Sequence, residues 1–297
     1  MLSILIPTYN YNCLSIVSEL QSQCTKSGIL YEILVQDDAS NSLINNENEK
    51  INLLENCRFY ANSENLGRGK NINSLSQKSK NEWLLILDCD VFPKHDDFIN
   101  NYIESIKNTD IDVVFGGICY KDEKPSDDEM LRWIYGRTRE SISVDVRKKH
   151  PYKSALTSNL LIKKTVFSST LFNENVTTYG YEDLLFIKDL KEKNIAIHHI
   201  ENEGYHLNLE TSKQYLAKIK IALQNLSTIY KNDKKLKDES KIIVAYNFLK
   251  KTHLNSFIYF IFNNLEKKME NHLLSKNPKL RILDFYKLGY FCKLNKV

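Results

Sequence analysis

Residues 83–90, Trp83-Leu84-Leu85-Ile86-Leu87-Asp88-Cys89-Asp90, place an unbroken apolar run directly before two carboxylates. An apolar run of this length predicts a strand buried on both faces, which is typical of parallel sheets. Two carboxylates at positions i and i+2, just beyond such a strand, can converge on one hard divalent cation. Solvated turns after strands show the same pattern, so this motif alone leaves both interpretations open.

Other short apolar runs alternate with segments whose apolar residues recur at helical spacing. The predicted strands cover residues 2–7, 31–36, 57–61, 112–116, 157–162 and 195–200. The predicted helices cover residues 14–24, 74–79, 98–106, 130–139 and 183–192. Such alternation predicts βαβ units, and therefore an α/β fold with a mostly parallel central sheet. Beyond residue 210, apolar residues keep a helical spacing, which predicts a helical C-terminal part.

Three of the predicted strands end in polar residues. They are followed by Pro7-Thr8-Tyr9-Asn10, Asp37-Asp38-Ala39-Ser40 and Asp88-Cys89-Asp90. Ligands of open α/β sheets bind beyond the carboxyl ends of the strands. We therefore expect these three segments to share one edge of the sheet and to carry the chemistry.

Two further segments carry residues that suit catalysis or ligand binding. Glu182 and Asp183 open a predicted helix, where carboxylates either complement the helix dipole or face a cleft as a general base. His206 follows the predicted strand 195–200 after a short turn. A lone histidine is more often a surface or core residue than a ligand, so both interpretations stay open here.

Composition limits the classes of protein to which the chain can belong. With 297 residues, 42% hydrophobic content, nine glycines and five prolines, it predicts a folded globular protein rather than disorder. The six cysteines form no CxxC pair, which favours reduced thiols. The N-terminal residues lack a signal-peptide pattern, and the apolar run 257–262 is too short to span a membrane. We expect a cytoplasmic protein, with peripheral contact at the inner face of the membrane as an open alternative.

Charge is distributed unevenly along the chain. Residues 1–210 carry 23 basic and 31 acidic side chains, whereas residues 211–297 carry 18 and 6. This asymmetry predicts two domains, a catalytic domain over 1–210 and a basic, mainly helical segment over 211–297. The basic segment either packs on the catalytic domain or contacts an anionic membrane surface. An alternative function is a nucleic-acid-binding module, because this segment combines basic and aromatic residues. It carries no nucleic-acid-binding motif, however, and the acidic first part would repel phosphates, so we expect no nucleic-acid partner.

In their order and separation, seven segments resemble the family-2 glycosyltransferases, nucleotide-sugar enzymes with a GT-A type fold. These segments span residues 3–207 and read Ser3-Ile4-Leu5-Ile6-Pro7-Thr8-Tyr9-Asn10, Val35-Gln36-Asp37-Asp38-Ala39-Ser40, Asn65-Leu66-Gly67-Arg68, Leu87-Asp88-Cys89-Asp90, Ser158-Asn159-Leu160, Gly180-Tyr181-Glu182-Asp183 and Tyr205-His206-Leu207. The resemblance implies inverting transfer of a sugar from a nucleotide-sugar donor, with a uridine diphosphate sugar expected. It also implies a saccharide or lipid-linked saccharide acceptor, as in bacterial surface polysaccharide synthesis.

The resemblance also implies a role for each matching residue. The nucleotide-sugar-binding residues would be Pro7, Tyr9, Asn10, Asp38, Asn65, Gly67, Arg68, Lys70 and Asp88. Among these, Asp38 would accept a hydrogen bond from the uracil ring. Mn²⁺ or Mg²⁺ would be bound by Asp88, Asp90 and His206. Asp183 would be the catalytic base, with Glu182 positioning the acceptor.

This chain departs from the family pattern at Ile72, and its segment 121–152 matches no part of that pattern. Many relatives have Arg-Asn where it has Ile72-Asn73, so we expect Arg68 or Lys70 to make the corresponding phosphate contact. A competing enzyme class is the sugar-phosphate nucleotidyltransferases, which carry a Gly-rich basic loop after the first strand. Here that position holds Thr8-Tyr9-Asn10-Tyr11, which disfavours that class.

Overall fold

A seven-stranded sheet lies at the centre of the first of two compact units in the computed structural model, which describes residues 1–107, 110–175, 179–232 and 240–296. Its strands are β1 (Leu2–Thr8), β2 (Tyr31–Asp37), β3 (Cys57–Ala61), β4 (Trp83–Leu87), β6 (Val113–Phe115), β8 (Asn159–Lys163) and β9 (His198–His199). They lie in the order β3-β2-β1-β4-β8-β6-β9. Only β8 runs antiparallel to its two neighbours, which confirms an α/β fold with a mostly parallel sheet.

A smaller sheet of three short strands belongs to the same unit. It pairs β5 (Val91–Pro93) antiparallel with β10 (Gly204–His206), and β10 parallel with β7 (Ile118–Cys119). Gly204 is required in this sheet because a Cβ atom there would lie 2.4 Å from Val91 Cγ1. None of these strands was predicted, since two or three residues are too few to show a periodicity.

Helices follow most strands of the first unit. They are α1 (Leu14–Lys26), α2 (Asn45–Asn48), α3 (Arg68–Lys78), α4 (Phe98–Ser105), α6 (Val144–Lys149), α7 (Pro151–Ser154), α8 (Lys164–Thr170) and most of α9 (Glu182–Glu192). β1 and β4 are buried along their whole length, as expected for strands covered on both faces. Ile72 of α3, Phe167 of α8 and Phe186 of α9 pack in the core beside the strands.

The second unit comprises residues 122–138, 178–184 and 209–297. Its helices are α5 (Met130–Tyr135), α10 (Ser212–Asn232), α11 (Lys241–Lys251), α12 (Asn255–Leu273) and α13 (Leu280–Leu294). Aromatic rings pack in its interior. The ring centroids of Tyr246 on α11 and Phe291 on α13 are 5.2 Å apart, and those of Phe262 on α12 and Tyr286 are 5.3 Å apart. The predicted helical C-terminal part is confirmed. The predicted domain boundary at residue 210 stays a prediction.

Several predicted elements have different limits in the structure. The strand predicted over residues 195–200 contains only His198 and His199, and the Ile195 N–H instead donates to the Leu190 carbonyl of α9 at 2.9 Å. Ile197 is nevertheless buried in the core, which explains its strand-like sequence. The helix predicted over 130–139 becomes a π-helical turn after Tyr135. No helix in the described ranges is both long and apolar enough to cross a membrane.

Arg147 of α6 is 1% exposed and connects three segments of the first unit. Its guanidinium donates hydrogen bonds to the backbone carbonyls of Phe115, Gly116, Ile142 and Ile200. Burial lowers the pKa of Arg147, and the Glu203 carboxylate, 3.7 Å away, opposes that shift. Gly117, with φ of +95°, leaves space for this guanidinium, since a Cβ atom there would lie 2.8 Å from Arg147 Nη2.

We expect Arg147→Met to lower the free energy of unfolding by about 3 kcal/mol or more, because four carbonyls would lose a charged donor inside the protein. Urea denaturation measures this loss. Arg58→Met is the matched control, since Arg58 is exposed and donates a hydrogen bond to the carbonyl of the adjacent Cys57. The control should stay within about 0.5 kcal/mol of the parent. Equal stability of the two variants would contradict the role of Arg147.

His199, buried next to Arg147, should make stability depend on pH. Its Nε2 donates to the Pro151 carbonyl at 3.0 Å, and its Nδ1 lies 3.4 Å from Arg147 Nη1. Burial, assisted by the charge of Arg147, lowers the pKa of His199 to about 4. Between pH 6.5 and 4 the unfolded chain therefore binds a proton that the folded chain does not. Stability should fall in that window as pH falls, by up to about 1.4 kcal/mol per pH unit.

The slope of unfolding free energy against pH measures this contribution. His199→Gln should flatten the slope between pH 6.5 and 4, whereas His198→Gln, at the exposed neighbouring position, should leave it unchanged. Indistinguishable slopes for His199→Gln and the parent protein would show that His199 is not held neutral.

Candidate active site

The carboxyl ends of β2, β1 and β4 lie side by side at one edge of the central sheet. β1 pairs in parallel with both neighbours, with Thr8 opposite Asp37 and Leu5 opposite Ile86. The polar segments that follow these strands therefore share that edge, as the sequence predicted.

Asp38 lies at this edge and is 5% exposed. Its Oδ1 accepts hydrogen bonds from the Leu66 backbone N–H at 2.8 Å and from Asn62 Nδ2 at 3.0 Å, and its Oδ2 accepts the Gly67 N–H at 2.8 Å. Asn65 Nδ2 donates to the Asp38 carbonyl at 3.0 Å. Asp38 thus holds the loop before α3, in which Gly67 adopts φ of +81°.

The segment after β1 combines a buried strand residue with exposed side chains. Pro7 is buried within β1, whereas Tyr9 is 58% exposed and Asn10 is exposed with φ of +53°. An exposed tyrosine at the end of a strand offers a flat surface on which a nucleobase could stack. Tyr11 follows, and burial together with the Asp90 carboxylate raises its pKa to about 12.

Arg68, in the first turn of α3, lies against Asp88 at the end of β4. Its Nε and Nη2 donate to Asp88 Oδ1 at 3.0 and 2.6 Å, and its Nη1 donates to Thr157 Oγ1 at 2.9 Å. The Phe172 ring lies 6.0 Å below the guanidinium. Because the pair is roughly one-quarter exposed, this cation remains accessible to an anionic ligand.

The remaining residues of this helix divide between the core and the surface. Ile72 is fully buried among apolar side chains, so its position cannot contribute a charge to the edge. Asn73 bonds the backbone of Phe172 through both of its side-chain atoms. Lys70 is half-buried on the same helix.

Asp90 and His206 are brought together by the small sheet. β10 pairs with β5 so that His206 lies opposite Val91, and the Leu207 N–H donates to the Asp90 carbonyl at 2.8 Å. His206 Nε2 is 3.6 Å from Asp90 Oδ2, and both side chains are about one-sixth exposed. The Tyr120 ring stacks on His206 at 5.3 Å, and the Tyr120 hydroxyl donates to Glu140.

The donor chemistry of this pair fits a divalent metal. A carboxylate oxygen suits Mn²⁺ or Mg²⁺, and an imidazole nitrogen is a common ligand of divalent metals. Ions bound with nucleotides usually complete their shell with phosphate oxygens and water. Asp88 is bonded by Arg68 instead. In the described part of the chain, no group of three or more His, Cys, Asp or Glu side chains is arranged for a metal. The predicted set of Asp88, Asp90 and His206 therefore stays a prediction.

Glu182 and Asp183 occupy the first turn of α9 and belong to the second unit. The turn before them is held within that unit, because Asn225 Nδ2 donates to the Gly180 carbonyl at 2.6 Å. Gly180 has φ of +99°, and a Cβ atom there would lie 2.5 Å from the Ala222 Cβ. Both carboxylates therefore begin a helix from a turn in a fixed conformation.

Two residues beside Asp90 and His206 were not predicted from the sequence. Tyr11 borders Asp90 and directly follows a recognised segment, so its position was a usable indication. Tyr120 stacks on His206 from 86 positions away, and no local pattern points to it.

Glycosyltransferases are among the known proteins that are similar to this chain. The model for "Glycosyl transferase family 2" matches residues 3–171. An uncharacterized glycosyltransferase of Mycoplasma genitalium is 27% identical over 217 residues, which cover 69% of this chain and 68% of the relative.

Two solved structures share the fold. Residues 1–349 of S. aureus TarS give a TM-score of 0.51 at 15% identity, covering 97% of this chain and 90% of that one. A mannosyltransferase from Pyrobaculum calidifontis, in complex with GDP-Man and Mn²⁺, gives a TM-score of 0.56 at 11% identity. The match covers 99% of this chain and 85% of that one. At these identities the likeness shows the fold alone, a GT-A type α/β fold. The family match over more than half of the chain carries the assignment: this protein belongs to glycosyl transferase family 2 and is a glycosyltransferase.

Proposed function

We propose that this glycosyltransferase moves a sugar from a nucleotide diphosphate sugar to an acceptor hydroxyl, with inversion at the anomeric carbon. The observation that carries the proposal is the Asp90–His206 pair, with a carboxylate oxygen 3.6 Å from an imidazole nitrogen. A metal ion held there would neutralise charge that develops on the departing diphosphate.

The donor would bind along the sheet edge. Tyr9 and Asn10 would contact the nucleoside, with Pro7 supporting them from the strand. Asp38, whose carboxylate is already oriented by two backbone N–H groups, would accept the base N–H through a remaining lone pair. Asn65 and Gly67 would shape the loop beside it.

The guanidinium of Arg68 would bind the phosphates of the donor. Its guanidinium lies at the sheet edge, bonded to Asp88 and accessible to solvent, whereas Ile72 is buried in the core. Arg68 would thus take the place of the arginine that relatives carry near position 72, with Lys70 contributing a second positive charge. Asp88 would hold Arg68 and contact the ribose or the metal.

Asp183 would act as the general base. The acceptor oxygen attacks the anomeric carbon opposite the leaving group, its proton passes to the Asp183 carboxylate, and the bond to the nucleoside diphosphate breaks. Glu182 would position the acceptor. These two roles rest on the place of both residues in the family motif.

A uridine diphosphate sugar is the donor that we favour, because Asp38 matches the uracil-binding carboxylate. A TarS structure was solved with UDP, whereas the mannosyltransferase contains GDP-Man. A screen of nucleotide release from UDP- and GDP-sugars, with and without Mn²⁺, tests donor and metal together. The acceptor that we propose is a saccharide or lipid-linked saccharide of bacterial surface polysaccharide synthesis.

Asp183→Asn should reduce sugar transfer by about 10²–10⁴-fold, the usual contribution of a general base. Its affinity for the nucleoside diphosphate, measured by calorimetry, should change little, because the base acts on the acceptor. Asp189→Asn, on the same helix, is the matched control and should retain activity. Near-normal transfer by a folded Asp183→Asn protein would remove Asp183 from the mechanism.

Asp90→Ala should weaken Mn²⁺ binding in the presence of the nucleoside diphosphate by at least about tenfold, since even outer-shell partners of metal ligands contribute 10–100-fold. We expect a smaller loss for His206→Ala. Exposed side chains nearby provide the controls Asp96→Ala and His95→Ala. Titration followed by Mn²⁺ paramagnetic resonance measures binding directly. Unchanged binding in both site variants, or full activity in excess chelator, would contradict the metal site.

A further inference from the structure

Five apolar side chains are exposed on α11, on the connection that follows it and on the start of α12. They are Val244 at 46%, Phe248 at 63%, Leu254 at 45%, Phe257 at 58% and Phe260 at 66% exposed. We call this set the apolar corner. Phe248 lies in the last turn of α11, Leu254 directly before α12 and Phe257 in its first turn, whereas Val244 lies nearer the start of α11. Exposed apolar side chains concentrated in this way often mark an interaction site.

The inner faces of both helices are already used for packing. Ile243, Tyr246 and Leu249 of α11 are buried, and the Tyr246 hydroxyl donates to the Asn295 carbonyl. On α12, Phe262 is fully buried against Tyr286 of α13. The apolar corner therefore lies on the outward faces and is not part of the interior of the second unit.

Basic residues accompany the apolar corner, and acidic residues are missing from its sequence. Residues 240–265 contain Lys241, Lys250 and Lys251 and no aspartate or glutamate. All three lysines are exposed. On α11, Lys241, Val244, Phe248 and Lys251 follow at intervals of three and four residues and so share one face.

We propose that the apolar corner and its lysines dock this protein onto an anionic membrane surface. Aromatic side chains can enter the boundary between headgroups and acyl chains while lysines contact anionic lipids. Protein–protein interfaces, in contrast, are depleted of lysine. The positive charge around these exposed rings complements an anionic lipid surface. Two copies of the same basic face would instead repel each other. Membrane docking is separate from the proposed sugar transfer, and it can be measured without donor or acceptor.

The experiment is co-sedimentation of the full chain with vesicles of phosphatidylcholine, alone or mixed with phosphatidylglycerol, at low and high salt. Binding should require the anionic lipid and should fall as salt rises. Lys241→Gln/Lys250→Gln/Lys251→Gln should weaken binding by about 100-fold at low salt, since each basic residue near an anionic surface contributes about fivefold.

The aromatic part of the apolar corner is tested separately. Phe248→Ser/Phe257→Ser/Phe260→Ser should reduce binding by about tenfold or more, because the rings would no longer insert. The matched control is Leu30→Ser/Leu43→Ser/Leu53→Ser, which removes three leucines of the first unit that are 78%, 86% and 85% exposed. Circular dichroism checks that the variants remain folded.

A conservative variant tests ring insertion even if the serine variant does not fold. Phe260→Trp should show a blue shift of its emission with anionic vesicles and none with neutral vesicles. Equal indifference of the parent protein to both vesicle types, or no shift for Phe260→Trp, would overturn the proposal. So would a dimer in sedimentation velocity that the serine variant disrupts, without any vesicle binding by the parent.

Discussion

Strand β1 is hydrogen-bonded on both sides by parallel strands, and this pairing determines where the candidate site residues of the first unit lie. Parallel neighbours run in the same direction, so the residues after β1, β2 and β4 leave the sheet at one edge. Polar side chains that are 30 to 80 positions apart in sequence thereby become neighbours. The antiparallel strand β8 then continues the sheet beyond β4, on the side away from β1. Arg147 secures the far side of the sheet through backbone carbonyls rather than through apolar contact.

Much of this arrangement could be predicted from the sequence, because long buried strands show a clear pattern. Trp83–Leu87 is a continuous apolar run, Leu2–Thr8 is apolar except for Ser3 and Thr8, and both are central strands. The small sheet could not be predicted, since its strands gain their conformation from partners about 85 and 110 residues away rather than from local propensity. The contacts of Arg68 with Asp88 and Thr157 could not be predicted either, because charge and spacing in the sequence do not reveal which cation contacts which carboxylate.

Aromatic residues have two kinds of surroundings in this protein. In the first unit some rings border polar groups: Tyr120 lies on His206, and Phe172 lies beneath Arg68 while it also stacks on Phe186, with 4.5 Å between the ring centroids. In the second unit, rings pack against one another, as in the contacts of Phe291 with Tyr246 and Tyr230. A ring beside a polar group limits the orientations of that group, whereas a cluster of rings mainly supplies buried area. The sequence showed the abundance of aromatic residues but not this division.

The order of segments along the chain has a consequence for how such proteins can evolve. The second unit is assembled from residues 122–138, 178–184 and 209–297, and Gly180 is held by Ala222 and Asn225. A fragment ending at residue 210 would keep Asp183 but would lose the helix that supports the turn before it. Recombination between relatives would therefore have to exchange three separate stretches of coding sequence together. The C-terminal helices therefore cannot be exchanged alone, because two segments from the first 210 residues belong to the same compact unit.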